Sequence, residues 1–138
     1  MGKVNQNKIA IVTGGGSGIG LAITEKFISS GIITIIVGRD QQKLNAAKEK
    51  FGKLCVPIPC DLSDLNAIPK LVEDIFNEYG RIDILVNNAG INMKKEFTEV
   101  TDEDFQRIIQ TNVTAVFSLS REVISSSVYS FSISKDIF

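Results

Sequence analysis

The sequence is poor in metal-binding and redox-active side chains. It contains no histidine and only two cysteines, Cys55 and Cys60, among its 138 residues. Because protein zinc sites use about four ligands, drawn mainly from cysteine and histidine, this composition predicts no metal site. The two cysteines flank Pro57 and Pro59 on one predicted strand, which favours free thiols in a reducing compartment over a disulfide.

The chain also lacks a charge excess and a long apolar run. It has 15 basic and 16 acidic residues, so there is no electrostatic footprint for nucleic acid or for an anionic membrane. No stretch reaches the roughly 18 apolar residues of a membrane span, and residues 1–8 are polar rather than typical of a signal peptide. We therefore expect a cytoplasmic single domain that binds small ligands.

Short apolar segments alternate with helical patterns along the chain. Strands that are apolar throughout are typical of a parallel sheet buried on both faces, so the pattern predicts an α/β fold with right-handed crossovers. Strands are predicted at residues 8–12, 32–37, 54–58 and 82–86, and helices at residues 18–30, 40–51, 64–79 and 101–124.

Local signals define the ends and the buried faces of these helices. Asp40 is suited to cap the second helix, and Thr101, with Asp104 three residues later, is suited to cap the fourth. The third helix has an apolar face made by Ile68, Leu71, Val72, Ile75 and Phe76. The apolar stripe predicted for the fourth helix consists of Phe105, Ile108, Ile109, Val113, Val116 and Phe117.

A glycine-rich segment, Thr-Gly-Gly-Gly-Ser-Gly-Ile-Gly at residues 13–20, joins the first strand to the first helix. Glycine lets the chain turn sharply off the strand and lets backbone N–H groups approach a pyrophosphate. The helix that follows directs its positive dipole end at the phosphates. The context therefore predicts a dinucleotide-binding turn, with a flexible Gly/Ser connection as the alternative.

Four segments together resemble the short-chain dehydrogenase/reductase family. They are the Thr-Gly-x-x-x-Gly-x-Gly spacing of residues 13–20, Cys-Asp-Leu at residues 60–62, Asn-Asn-Ala-Gly at residues 87–90, and Asn112. The resemblance covers about residues 8–124. It implies a Rossmann-type doubly wound sheet with strand order 3-2-1-4, a nicotinamide cofactor, and hydride transfer between that cofactor and a ketone or secondary alcohol.

The same resemblance implies which residues contact the cofactor. Asp61 is implied to bind the adenine amino group, with capping of the turn before Ser63 as the alternative. The amides at residues 87–90 are implied to tie adjacent loops and hold the cofactor ribose, with a purely structural turn as the alternative. The implied cofactor-binding residues are Gly14, Ser17, Gly18, Ile19, Gly20, Arg39, Asp61, Leu62, Asn88, Ala89 and Gly90.

The end of the second strand bears on the choice between the two nicotinamide cofactors. It reads Gly-Arg-Asp at residues 38–40. With Gly38 in the usual acidic position, no carboxylate is there to bind the ribose 2′-hydroxyl, and Arg39 can contact a 2′-phosphate. This predicts NADP(H) in preference to NAD(H). The alternative leaves Arg39 solvated and has Asp40 bind the ribose.

The resemblance also implies a catalytic tyrosine, a lysine four residues later, a serine and an asparagine. Asn112 matches the asparagine, with an ordinary polar position on a helix flank as the alternative. Tyr129 is followed four residues later by isoleucine, whereas Lys135 is preceded four residues earlier by Phe131. The serines at 125–127 lie too close to these residues to match the family serine. The catalytic candidates are therefore Asn112, Tyr129 and Lys135.

Beyond residue 124 the sequence departs from the family pattern. We expect a member truncated after its fourth strand–helix unit, with residues 1–124 as the dinucleotide-binding part and residues 125–138 as a divergent or rejoined tail. An internal loss and an unrelated tail both account for this departure.

The function expected from the resemblance is that of an NAD(P)-dependent oxidoreductase, with this chain inactive on its own. The alternatives are a catalytically silent NADP(H)-binding module and a non-functional or partner-dependent fragment. The open edge of the fourth strand invites pairing with another chain, so a homo-oligomer is one expected state.

Overall fold

Four strands form one parallel sheet in the order β3-β2-β1-β4, which confirms the order implied by the family resemblance. The computed structural model describes residues 7–135, with side chains for residues 7–127. Each strand begins one or two residues later than predicted, because a strand starts where its ladder finds a partner. The strands are β1 (Ile9–Thr13), β2 (Ile33–Gly38), β3 (Cys55–Pro59) and β4 (Ile84–Val86).

Helices cover both faces of this sheet, as expected for a doubly wound fold. One buried cluster joins β2 and β3 to α2, with partly buried side chains of α1 against it. The other joins β1 and β2 to α3 and α5. The helices are α1 (Gly18–Ser29), α2 (Gln41–Phe51), α3 (Ala67–Tyr79), α4 (Asp102–Ile109) and α5 (Ala115–Lys135), with a π-helical turn (Gln110–Thr114) between α4 and α5.

β1 is buried along its whole length, and β2 is buried except at its two terminal residues. Ile11 of β1 lies opposite Ile35 of β2 and Leu85 of β4. Both Ile11 and Ile35 have no exposed surface. Burial on both faces accounts for the uninterrupted apolar runs that indicated a parallel sheet.

Both predicted helix caps are confirmed. Asp40 Oδ1 accepts hydrogen bonds from the N–H groups of Gln42 and Lys43, each at 3.1 Å. Thr101 Oγ1 accepts from the Asp104 N–H at 3.1 Å, and Asp104 Oδ2 accepts from the Thr101 N–H at 3.2 Å. These side chains satisfy N–H groups that have no partner within the helix itself.

The third helix begins three residues later than predicted, at Ala67 rather than at residue 64. Asp64 Oδ1 instead accepts the Asn66 N–H at 3.2 Å, which forms a local turn before the helix. Pro69 is tolerated in the first helical turn because no intrahelical acceptor exists there for an N–H. The predicted buried face is confirmed for Ile68, Leu71, Val72 and Ile75, and Phe76 is partly buried.

The fourth predicted helix is longer than expected and is interrupted by the π-helical turn. It continues past residue 124 through α5 to Lys135. Although α5 has 21 residues, none of the helices within residues 7–135 combines the length and apolar character needed to cross a membrane.

Most of the apolar stripe predicted for this helix lies outside its buried face. Phe105, Val113 and Phe117 are 58%, 56% and 63% exposed and Ile109 is also exposed, whereas Ile108 and Val116 are half-buried. The side chains of α5 that face the core are Ala115, Ser118, Leu119 and Val123. The helix carries apolar residues on two faces, and the extra residue in the π-helical turn changes the angular position of those that follow. Only one of the two faces packs on the sheet.

Asp83 joins the amino ends of β1 and β4. Its Oδ2 accepts the Ile9 N–H at 2.8 Å, and its own N–H donates to the Ile9 carbonyl at 2.9 Å. Arg81 Nη2 donates to Oδ1 at 2.6 Å. Partial burial acts to raise the pKa of Asp83, but the hydrogen bonds from Arg81 and Ile9 and the charges of Arg81 and Lys8 together outweigh it. The net effect is a pKa below the ordinary value.

We expect Asp83→Asn to lower the free energy of unfolding by about 1–2 kcal/mol at neutral pH, because it removes a charge-assisted link between two strands. The folded-state pKa lies below the unfolded value of about 3.9, so this stabilisation is complete above about pH 5 and is lost as pH falls through the folded-state pKa. Urea unfolding at a series of pH values measures both effects.

Asp74→Asn is the matched control, because Asp74 forms an exposed ion pair with Lys70. It should change the free energy of unfolding by less than about 0.5 kcal/mol. A difference between wild type and Asp83→Asn that stayed constant from neutral pH down to about pH 3 would contradict the proposed role of the Asp83 charge.

Candidate cofactor site

The turn between β1 and α1 packs closely against the loop that follows β4. Gly14 has a φ of +65°, in the left-handed region that favours glycine. A Cβ at Gly20 would overlap the Gly14 carbonyl oxygen and lie 2.5 Å from Asn88 Nδ2. Glycine at these two positions therefore lets the first turn of α1 approach both loops.

Thr13 and Asn88 hold the ends of β1 and β4 together. Thr13 Oγ1 accepts the N–H groups of Asn88 and Ala89 at 3.0 and 2.9 Å, and its hydroxyl donates to the Val86 carbonyl at 3.4 Å. Asn88 Nδ2 donates to the carbonyls of Thr13 and Gly14 at 3.1 and 3.2 Å. The Asn88 amide thus ties adjacent loops, one of the two roles predicted for residues 87–90.

A cavity of about 680 Å³ lies at the carboxyl ends of the strands. Sites for small molecules typically measure about 300–1,000 Å³, and open α/β sheets bind ligands at this edge. Of the residues implied from the sequence, the cavity is lined by Gly14, Ser17, Arg39, Asp61, Leu62, Asn88, Ala89 and Gly90.

The remaining implied residues lie outside this lining, and further residues join it. Gly18, Ile19, Gly20 and Asn112 are not in the described cavity wall, and the Ile19 side chain is 74% exposed. Lys43 was missed, although its position three residues after the Asp40 cap was a usable signal, because one helical turn returns its side chain to the same end of α2. The other lining residues are Gly16, Val37, Gly38, Asp40, Leu44, Cys60, Ser63, Ile91 and Thr111.

Arg39 and Asp40 both line the cavity, but Asp40 already serves α2. Its Oδ1 caps the helix, and its Oδ2 lies 4.0 Å from Lys43 Nζ. Its carboxylate is therefore partly engaged by backbone N–H groups, whereas Arg39 extends from the end of β2 as a cation at the cavity wall.

Asp61 forms a local turn and also lines the cavity. It accepts the Ser63 N–H at 3.0 Å and the Ser63 hydroxyl at 2.7 Å, which are the contacts expected of the capping alternative. The two hydrogen bonds from Ser63, and to a smaller extent the charge of Arg39, lower the pKa of Asp61 despite the opposing effect of burial. The group is therefore a fixed carboxylate at neutral pH.

Cys60 contributes a thiol to the cavity wall. Burial raises the pKa of Cys60, and the charges of Asp61 and Asp64 raise it further. Cys60 and Cys55 are both free, as predicted from the sequence. Cys60 is therefore a neutral thiol near neutral pH.

Asn112 lies in the π-helical turn and fixes the loop beside the cavity. Its Oδ1 accepts the Ile91 N–H at 2.8 Å, and its Nδ2 donates to the Ile91 carbonyl at 2.9 Å. A Cβ at Gly90 would approach Asn112 Oδ1 to 3.2 Å. The side chain is thus engaged with the loop backbone and is not simply solvated on a helix flank.

The other two catalytic candidates cannot be placed against the cavity. Tyr129 and Lys135 belong to the backbone of α5, but their side chains lie outside the described residues. The site built by residues 7–127 consists of a glycine-rich turn, two cations, two carboxylates and amides at one edge of the sheet.

Comparison with known proteins places this geometry in a family. The model of the short chain dehydrogenase family matches residues 8–130. The chain is 38% identical over 121 residues to the 3alpha-hydroxysteroid dehydrogenase of Mediterraneibacter gnavus, covering 84% of this chain and 48% of that protein.

Solved structures agree with the sequence comparison. The 3-ketoacyl-(acyl-carrier-protein) reductase from Brucella melitensis, complexed with NADH, superposes with a TM-score of 0.81 at 33% identity, over 86% of this chain and 49% of that one. An actinorhodin polyketide ketoreductase variant with NADPH has a TM-score of 0.80 at 30% identity, over 87% and 47%.

The chain spans about half the length of the curated relatives it matches. The family model matches most of the chain's residues, and the matched part contains the glycine-rich turn, the four-stranded sheet and the asparagine-bearing loop. The chain therefore belongs to the short-chain dehydrogenase family.

Proposed function

We propose that the chain binds a nicotinamide dinucleotide in the cavity at the carboxyl ends of the strands, with NADP(H) preferred over NAD(H). The observation that carries this proposal is the glycine-rich turn at the cavity wall, where Gly14, Gly16 and Ser17 line the cavity immediately before α1 begins at Gly18. Related structures contain NADH and NADPH. When bound, the nicotinamide supplies or accepts a hydride.

The start of α1 is suited to the pyrophosphate. Ser17 precedes the helix and lines the cavity, and its side chain makes no capping hydrogen bond. The first N–H groups of α1 therefore have no side-chain acceptor from Ser17 and are available to phosphate oxygens. The positive end of the helix dipole adds to this attraction.

The cavity wall that follows β2 supports the preference for NADP(H). Asp40 caps α2 through Oδ1, so the carboxylate that would bind a ribose 2′-hydroxyl is partly committed to the helix. Arg39 lines the same region, and a guanidinium forms bidentate, charge-assisted hydrogen bonds with phosphate. We propose that Asp61 and Leu62, which line the same cavity, contact the adenine.

We propose that the chain alone does not reduce a ketone, although its family chemistry is hydride transfer to or from ketones and secondary alcohols. Phe131, four residues before Lys135, has no proton to give, and a positioned acid typically contributes about 10²–10⁴-fold to the rate. The residues that line the described cavity are the ones proposed above to bind the dinucleotide, which supports a catalytically silent nucleotide-binding module as the second candidate function. The family resemblance assigns Asn112 to the relay asparagine, and in this chain we propose that it positions the Ile91 loop beside the cavity through its two hydrogen bonds.

We expect the 138-residue chain to bind NADPH saturably, and more tightly than NADH, in isothermal titration calorimetry. Arg39→Gln should weaken NADPH binding by about tenfold and change NADH binding by less than about twofold, because only NADPH carries the 2′-phosphate. Arg121→Gln, on α5 and outside the cavity wall, is the control with the same charge change. Equal losses for the two cofactors would contradict the role of Arg39.

Thr13→Val tests the geometry of the turn. The valine keeps the shape of threonine but leaves the partly buried N–H groups of Asn88 and Ala89 without their acceptor. We therefore expect the free energy of unfolding to fall by about 1–3 kcal/mol and cofactor binding to weaken. Thr13→Ser retains the hydroxyl and is the control. Unchanged stability and cofactor affinity in Thr13→Val would show that this hydroxyl does not position the loop.

The chain is expected to show no NADPH oxidation above background with a β-keto ester as the ketone. Spectrophotometry of the purified protein, with and without the ester, measures this rate. A rate abolished by Tyr129→Phe would overturn the proposal and make Tyr129 the proton donor. A rate that survived this substitution would overturn the inactivity but exclude Tyr129.

A further inference from the structure

Lys43 lines the cavity beside the glycine-rich turn. It occupies the first turn of α2 and lines the same cavity as Arg39. A methyl group added at Gly16 would lie 3.4 Å from the Lys43 Cβ. The first turn of α2 therefore packs near this loop, and the lysine side chain starts from a position beside the phosphate-binding backbone.

The Lys43 ammonium has only a loose internal partner. Its distance to Asp40 Oδ2 is 4.0 Å, which is too long for a hydrogen bond, and the lysine side chain is 60% exposed. Exposed pairs of this kind contribute little to stability. The ammonium can therefore turn to a stronger anion in the cavity at small cost.

The two carboxylates of this region are both used by neighbouring donors. Asp40 Oδ1 accepts two N–H groups at the start of α2, and Asp61 accepts the N–H and hydroxyl of Ser63. Two cations, Arg39 and Lys43, remain at the cavity wall. A phosphate monoester carries a charge of about −1.5 to −2 at neutral pH, which two cations balance.

We propose that Lys43 is a specificity-determining residue that, together with Arg39, forms a two-cation subsite for the 2′-phosphate of NADP(H). Arg39 reaches it from the end of β2, and Lys43 reaches it from the first turn of α2. The inference rests on the proposed dinucleotide binding. It adds that two cations, Arg39 and Lys43, contribute to the preference for NADP(H). NAD(H) carries an uncharged hydroxyl where NADP(H) carries the phosphate that these cations would bind.

The test measures binding of adenosine 2′,5′-bisphosphate and of 5′-AMP to the full chain by isothermal titration calorimetry. These probes share the adenosine and the 5′-phosphate and differ only in the 2′-phosphate. Lys43→Gln should weaken the bisphosphate by about three- to tenfold and change 5′-AMP by less than about twofold. Lys43→Arg should retain most of the wild-type discrimination because the charge is kept.

Lys50→Gln is the matched control. Lys50 lies in the last turn of the same helix and sits 5.1 Å from the Phe51 ring centroid, outside the cavity wall. It should leave the affinity ratio of the two probes unchanged. The double variant of Arg39→Gln with Lys43→Gln should bind the two probes with nearly equal affinity.

The outcomes separate this inference from the proposed function. If wild type binds neither probe and neither dinucleotide, the proposed function fails and the inference fails with it. If wild type prefers the bisphosphate but Lys43→Gln keeps that preference, or weakens both probes equally, the subsite belongs to Arg39 alone and only the inference is overturned. If Lys50→Gln also lost the preference for the bisphosphate, the effect of Lys43→Gln would reflect net charge alone, and the inference would be overturned.

Discussion

The close approach of α1 to the loop after β4 is the constraint on which the candidate site depends. Without a side chain at Gly20, the first helical turn comes against the Gly14 carbonyl and the Asn88 amide. That proximity lets Asn88 donate to two carbonyls of the turn while Thr13 accepts two N–H groups of the loop. The ends of β1 and β4 are thereby held as one surface, and the cavity opens above it.

The two ends of the sheet carry different kinds of interaction. At the amino end, Asp83 joins β1 to β4 through the Ile9 backbone and is neutralised by Arg81, an arrangement that satisfies its own charges and stabilises strand pairing. At the carboxyl end, the glycine-rich turn before α1 and the side chains of Arg39 and Lys43 line the cavity. Polar groups that lack strong partners within the protein therefore lie at the end of the sheet where a bound ligand can supply those partners.

The long helix formed by α4, the π-helical turn and α5 serves the sheet and the site at once. Leu119 and Val123 pack into the core, while Asn112, in the turn, holds the Ile91 loop by two hydrogen bonds. The opposite face leaves Phe105 and Phe117 exposed. The π-helical turn changes the angular position of the side chains that follow it, so the two parts of the helix can direct side chains to the sheet and to the site. Such turns are frequent at functional sites.

Features that depend on neighbours in the sequence were determined by the sequence alone. The alternation of strands and helices, the glycine-rich turn and the caps at Asp40 and Thr101 follow from spacings of a few residues, so local chemistry suffices to predict them. The family motifs extended that prediction to eight of the residues that line the cavity. Only the tertiary structure decided which face of the last helix is buried and how Asn112 meets Ile91. These contacts join segments distant in the chain, and they depend on helix rotation and packing that residue spacing does not encode.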